Sequence, residues 1–132
     1  MNRKLILSVL VAACSAATAF AQGGYQDGID YFNADRFEKA RIILEKTIND
    51  ANTDKGLAYF YLGSLDMREG KVQAARANFE KGIAAAPNSG YNYVGLGWID
   101  LKNGNEKAAK DQFKAAVKMD KKDAGVNAAI AR

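Results

Sequence analysis

Histidine is absent from the 132 residues, and cysteine and proline occur once each. Each shortage removes a class of chemistry. Without histidine there is no Ser-His-Asp or Cys-His pair, no His-ligated zinc and no side chain whose ordinary pKa lies near neutrality. The single cysteine, Cys14, cannot close an intramolecular disulfide, and the four thiolates of a structural metal site are missing. No stretch alternates with period two, so strands are not expected. The length allows one ordinary domain, and its stability must come from packed apolar surface. No catalytic residue, cofactor or metal is expected.

The first residues read as an address. Asn2-Arg3-Lys4 is a short basic start, Leu5 to Ala13 is an apolar run, and Ala19-Phe20-Ala21 before Gln22 places small residues where a signal peptidase reads. We therefore expect a signal peptide over residues 1–21. A membrane span needs about 20 strongly apolar residues, whereas the second half of this segment is mostly Ala, Ser and Thr. Val11-Ala12-Ala13-Cys14 also resembles a relaxed lipobox, in which Cys14 would carry lipid and become the N-terminus. Cleavage after Ala21 is the expectation, because small apolar residues continue past Cys14 to a good Ala-x-Ala site. An outer-membrane lipoprotein is the alternative.

Removing Arg3 and Lys4 with the leader takes the net charge from +4 to +2. That balance gives no case for nucleic acid, whose binding rests on clustered Lys and Arg against phosphates. Lys107, Lys110, Lys114, Lys118, Lys121 and Lys122 are interrupted by Asp111 and Asp120 and are expected to form a solvated helix face. Charge is nevertheless polarised, from −3 over residues 22–70 to +5 over 71–132.

What the chain has in abundance is self-similarity. At a shift of 34, Gly56, Tyr59, Leu62, Gly63, Asp66, Gly70, Ala74, Ala75 and Phe79 recur as Gly90, Tyr93, Leu96, Gly97, Asp100, Gly104, Ala108, Ala109 and Phe113. Chance would supply about two such identities, so the period decides the fold. With one residue of slack at Lys55, Gly28, Ala40, Leu44 and Ile48 occupy the corresponding places earlier. Three units result, over residues 22–54, 56–89 and 90–123, with 124–132 opening a fourth in phase. Within each unit the apolar spacing is helical and broken once, which predicts two helices and a tight turn. Gly70 and Gly104 are placed to stop the first helix in the left-handed conformation, and Pro87 to end a second. Gly63, Gly97, Ala75 and Ala109 should mark the closest helix crossings.

These units resemble tetratricopeptide repeats. The second offers Tyr59, Leu62, Gly63, Gly70, Ala75, Phe79 and Pro87, with Gly82 where alanine is usual. The third offers Tyr93, Leu96, Gly97, Gly104, Ala109, Phe113 and Ala116, with Lys121 where proline is usual. The first is weaker, keeping Gly28, Tyr31, Phe37, Ala40 and Leu44 while Asp27 and Thr47 replace the usual leucine and alanine. The resemblance implies an all-α, right-handed superhelix of antiparallel helix pairs with a ligand-binding concave face.

On that face the resemblance places Tyr25, Ile29 and Phe32; Leu57, Phe60, Tyr61, Ser64, Met67 and Arg68; and Tyr91, Val94, Trp98, Leu101 and Lys102. The face is apolar and aromatic, with cations near one edge. Tyr25, Ile29 and Tyr61 stand where some family members carry the lysine and asparagine that grip a C-terminal carboxylate, so an apolar or mixed peptide segment is the better expectation. Packing is the competing role for Phe60, Trp98 and Tyr25. Tyr59, Tyr93, Phe37, Phe79 and Phe113 are assigned to the core by position, and the recurrence of Asp66 and Asp100 is read as repeat symmetry, not as an acid/base pair.

The sequence thus predicts a non-catalytic protein-protein interaction scaffold of the bacterial cell envelope, most simply periplasmic. Its expected partner is a protein or peptide segment, with no nucleic acid and no transmembrane helix in the mature chain, and with a lipid anchor at Cys14 as the alternative. Because Val126 to Ile130 is short and apolar for a capping helix, the reading also expects the repeat array to extend beyond Arg132.

Overall fold

The computed structural model describes residues 24–132, so the leader, its Ala21 cleavage site and Cys14 lie outside the described residues. Among the described residues there are seven helices and no strand: α1 Tyr25–Asn33, α2 Phe37–Thr47, α3 Lys55–Arg68, α4 Val72–Ala85, α5 Tyr91–Lys102, α6 Glu106–Met119 and α7 Ala124–Ile130. They pair as α1/α2, α3/α4 and α5/α6, with α7 standing where the first helix of a fourth pair would begin.

The turn within each pair is fixed by one left-handed residue. Gly70 (φ 74°) and Gly104 (φ 78°) follow α3 and α5, and no neighbour crowds either, so conformation and not space selects glycine there. Asp35 (φ 58°) takes the same role after α1, a conformation that aspartate tolerates better than most side chains. In all three turns the chain closes back on the ending helix. Arg36 N donates to Tyr31 O at 2.8 Å, Lys71 N to Asp66 O at 2.8 Å and Asn105 N to Asp100 O at 2.8 Å, which satisfies carbonyls that a helix end leaves open. The starts of α3 and α7 are capped by carboxylates, with Asp54 accepting from Leu57 N at 2.9 Å and Asp123 from Gly125 N at 2.6 Å.

Inside a pair the crossings fall on the small residues. A methyl group on Gly63 would strike the Phe79 ring, and one on Gly97 the Phe113 ring, while Ala40, Ala75 and Ala109 are wholly buried. Phe79 is clamped from both sides, by Gly63 of its own unit and by Gly95 of the next. Removing such a ring to alanine in a close-packed interior typically costs about 3–5 kcal/mol. Of the other aromatics assigned to the core, Tyr59, Tyr93, Phe37 and Phe113 are only half-buried. Thr47 fits its buried position because its hydroxyl donates to Ile43 O at 2.8 Å.

Polar contacts fix how the units stack. Arg41 on α2 reaches across to α3, donating to Asp66 at 2.8 Å and Glu69 at 2.9 Å, and Asn78 on α4 donates to the second oxygen of Asp66 at 2.6 Å. Burial alone would lower the Arg41 pKa, but the bonds to Glu69 and Asp66 outweigh it and leave it raised. One repeat on, Arg76 of α4 stands 3.8 Å from Asp100 of α5. Asn92, fully buried, lies against Gly82 and donates to Gly56 O at 2.8 Å, which gives the glycine at the usual alanine position a packing reason.

Candidate binding pocket

The first helices touch in succession, α1 with α3, α3 with α5 and α5 with α7, whereas the second helices α2, α4 and α6 do not touch one another. One face of the molecule is therefore built from first helices. Side chains at three- and four-residue spacing on α3 project along that face, which brings Phe60, Tyr61, Ser64, Met67 and Arg68 to one place. Phe32 joins them from α1 and Tyr91 and Trp98 from α5, around a pocket of about 390 Å³. The far wall is Gly125, Ala128 and Ala129 of α7, with Arg132 beyond.

Phe60 is the hub of its floor. Its ring lies 5.3 Å from Tyr61, 5.2 Å from Tyr91, 5.6 Å from Trp98 and 6.1 Å from Phe79, and Phe32 packs edge-on to Tyr61 at 4.9 Å. Such clusters hold aromatic side chains in fixed orientations. Only 5 % of Phe60 is exposed, so it shapes the pocket from below, while Tyr61, Trp98 and Tyr91 keep part of their surface open. Ser64 is buried and its hydroxyl donates to Phe60 O at 2.8 Å, which engages its proton within the helix. Arg68 lies at the rim with its guanidinium 4.0 Å from the Phe37 ring centroid, a cation–π contact that steadies the charge beside an apolar hollow. Burial raises the Tyr61 pKa, and burial together with the Asp123 carboxylate pushes Tyr91 up to about 12. Both phenols are thus neutral near physiological pH, and Tyr91 donates to Asp123 at 3.2 Å.

Eight of the expected concave-face residues come together here: Phe32, Phe60, Tyr61, Ser64, Met67, Arg68, Tyr91 and Trp98. Five do not. Val94 is completely buried and Ile29 is 4 % exposed, each inside a core cluster, so neither offers surface to a ligand. Tyr25, on the first turn of α1, packs at the edge of the same core as Ile29. Leu101 and Lys102 end α5 in solvent, Leu101 being 49 % exposed, and they line none of the pocket. Leu57 faces a different, polar hollow near Pro87. The wall from α7 was missed, although the period contains it. Carrying Tyr91, Val94 and Trp98 forward by 34 lands on Gly125, Ala128 and Arg132. Their small side chains on α7 leave the hollow open.

Stacked helix pairs with a pocket on the face of their first helices define a helical-repeat solenoid. The tetratricopeptide repeat family model matches residues 66–132, and the chain belongs to that family. Repeats of this family mediate protein-protein binding. No curated protein matches the chain. Among the described residues no helix is long and apolar enough to cross a membrane.

Proposed function

We propose that the protein is a non-catalytic interaction scaffold, exported to the bacterial cell envelope and working in the periplasm, that seats a partner segment in the pocket between α3, α5 and α7. The observation that carries this reading is the pocket itself, with partly open Tyr61, Tyr91 and Trp98 around a buried Phe60 and two arginines at its edge. Exposed aromatic surface in a hollow is where binding energy concentrates at protein interfaces. The lining favours a segment with a bulky apolar side chain and an anionic group placed to meet Arg68.

The partner is to be captured by crosslinking in the native cell and then titrated against purified protein. Trp98→Ala and Tyr61→Ala should each weaken binding by about 2 kcal/mol, some thirtyfold in Kd. Undiminished capture by both variants would remove the pocket from the proposal. The Val11-Ala12-Ala13-Cys14 run supports a second reading, a lipid-anchored envelope-assembly component. Mass spectrometry of the mature N-terminus separates the two, since a diacylglyceryl group on Cys14 and a free Gln22 terminus exclude each other.

A further inference from the structure

A second apolar hollow lies outside the pocket, on α6. Its volume is about 500 Å³, its floor is Phe113, Val117 and Ile130, and its rim is Lys110, Lys114, Lys118 and Lys121. The two earlier units show what such a face receives. On α2 and α4 the residues equivalent to Phe113 are Leu44 and Phe79, and both are 0 % exposed because the next first helix lies over them. Phe113 is only half-buried and Val117 is 37 % exposed, since the short α7 reaches this face only through Ile130. The charges follow the same register. Arg41 meets Asp66 on α3 and Arg76 faces Asp100 on α5, whereas no carboxylate stands within ion-pair reach of the equivalent Lys110 among the described residues.

The covering helices share one pattern. In α3 it is Leu62, Leu65 and Asp66, and in α5 it is Leu96, Ile99 and Asp100, two apolar residues three apart followed by an acid. We propose that the α6 face is a docking site for an acidic amphipathic helix of a partner protein. Its apolar stripe lies on Phe113 and Val117 beside Ile130, an aspartate or glutamate at the Asp66/Asp100 register meets Lys110, and further acids meet the lysine rim. Charge complementarity selects this occupant: four lysines edge an almost wholly apolar floor, so a helix with an apolar stripe and acidic flanks satisfies both at once. The site is separate from the pocket on the first helices and stands or falls without it.

The test titrates the full chain into a fluorescein-labelled synthetic helix with a Leu-x-x-Ile-Asp core and glutamates on its flanks, followed by anisotropy at low salt. We expect saturable binding that weakens at least about tenfold in Lys110→Glu/Lys114→Glu and in Val117→Ser, both on exposed positions, and that persists in Lys81→Glu, a charge-matched control on α4. A peptide with lysine in place of the core aspartate should bind correspondingly less. No saturable binding, or equal binding to the double variant, overturns the proposal. So does lysine-dependent capture by phosphatidylglycerol vesicles without peptide binding, which assigns the face to lipid. Concentration-dependent self-association in sedimentation velocity, lost in the double variant while the peptide fails to bind, overturns it in favour of a second copy.

Discussion

A single hydrogen at Gly95 decides how closely the second and third units approach, because a methyl group there would strike the Phe79 ring from the side opposite Gly63. Gly95→Ala sets two effects against each other. Helix propensity favours alanine by about 1 kcal/mol, whereas overpacking a rigid core costs about 1–3 kcal/mol. Phe79 is fully buried and clamped, so the overpacking term should win and lower the urea midpoint; a raised midpoint would show that the ring can yield. The crossings at Gly63 and Gly97 are legible in the sequence because the period repeats them. Gly95 is not, since its equivalents are Tyr61 and Ala129, and only the contact with Phe79 reveals its purpose. Gly82 is similar: its register was visible, but the Asn92 side chain that fills the space above it comes from the next unit.

Between elements, the two recurring aspartates are unequal partners in one design. Asp66 accepts from Arg41 and Asn78 at 2.8 and 2.6 Å, while Asp100 stands 3.8 Å from Arg76. Asp66→Ala leaves the part-buried Asn78 without this acceptor and takes one of the carboxylates from Arg41, so it should cost about 1–3 kcal/mol. Asp100→Ala should cost no more than about 1 kcal/mol. Equilibrium urea unfolding of both variants checks the order, and equal losses would deny the geometric distinction. Helix positions were readable from spacing, with all six paired helices beginning and ending within two residues of the expected places. The bridges between pairs were not, because Arg41 and Asp66 meet only once the stacking of units is known. The same gap hid the α6 face: its lysines are all exposed, as their spacing suggests, but the apolar floor between them depends on how little of α6 the seventh helix covers.

At the scale of the molecule, the last helix is fastened partly by a phenol. Tyr91 donates to Asp123, which also caps α7, and burial with that carboxylate raises the Tyr91 pKa from 10.0 to about 12. Because the folded value lies above the unfolded one, this contribution to stability is complete below pH 10 and is lost as the pH climbs towards about 12. Tyrosinate absorbance should therefore show a late-titrating phenol that Tyr91→Phe removes; an unchanged titration curve in the variant would contradict the assignment. The three-pair architecture was evident from the period, whereas the part played by α7 was underrated. It buries Val126 and Ala129 and closes the pocket, although a helix of this size holds little stability of its own. A molecule seated in the pocket touches α3 and α5 on one side and α7 on the other, so occupancy and the coiling of α7 form one linked equilibrium. Ligand at a hundred times its Kd would lend the closed state about 2.7 kcal/mol, and each transient melting of α7 would open the exit by which that ligand leaves.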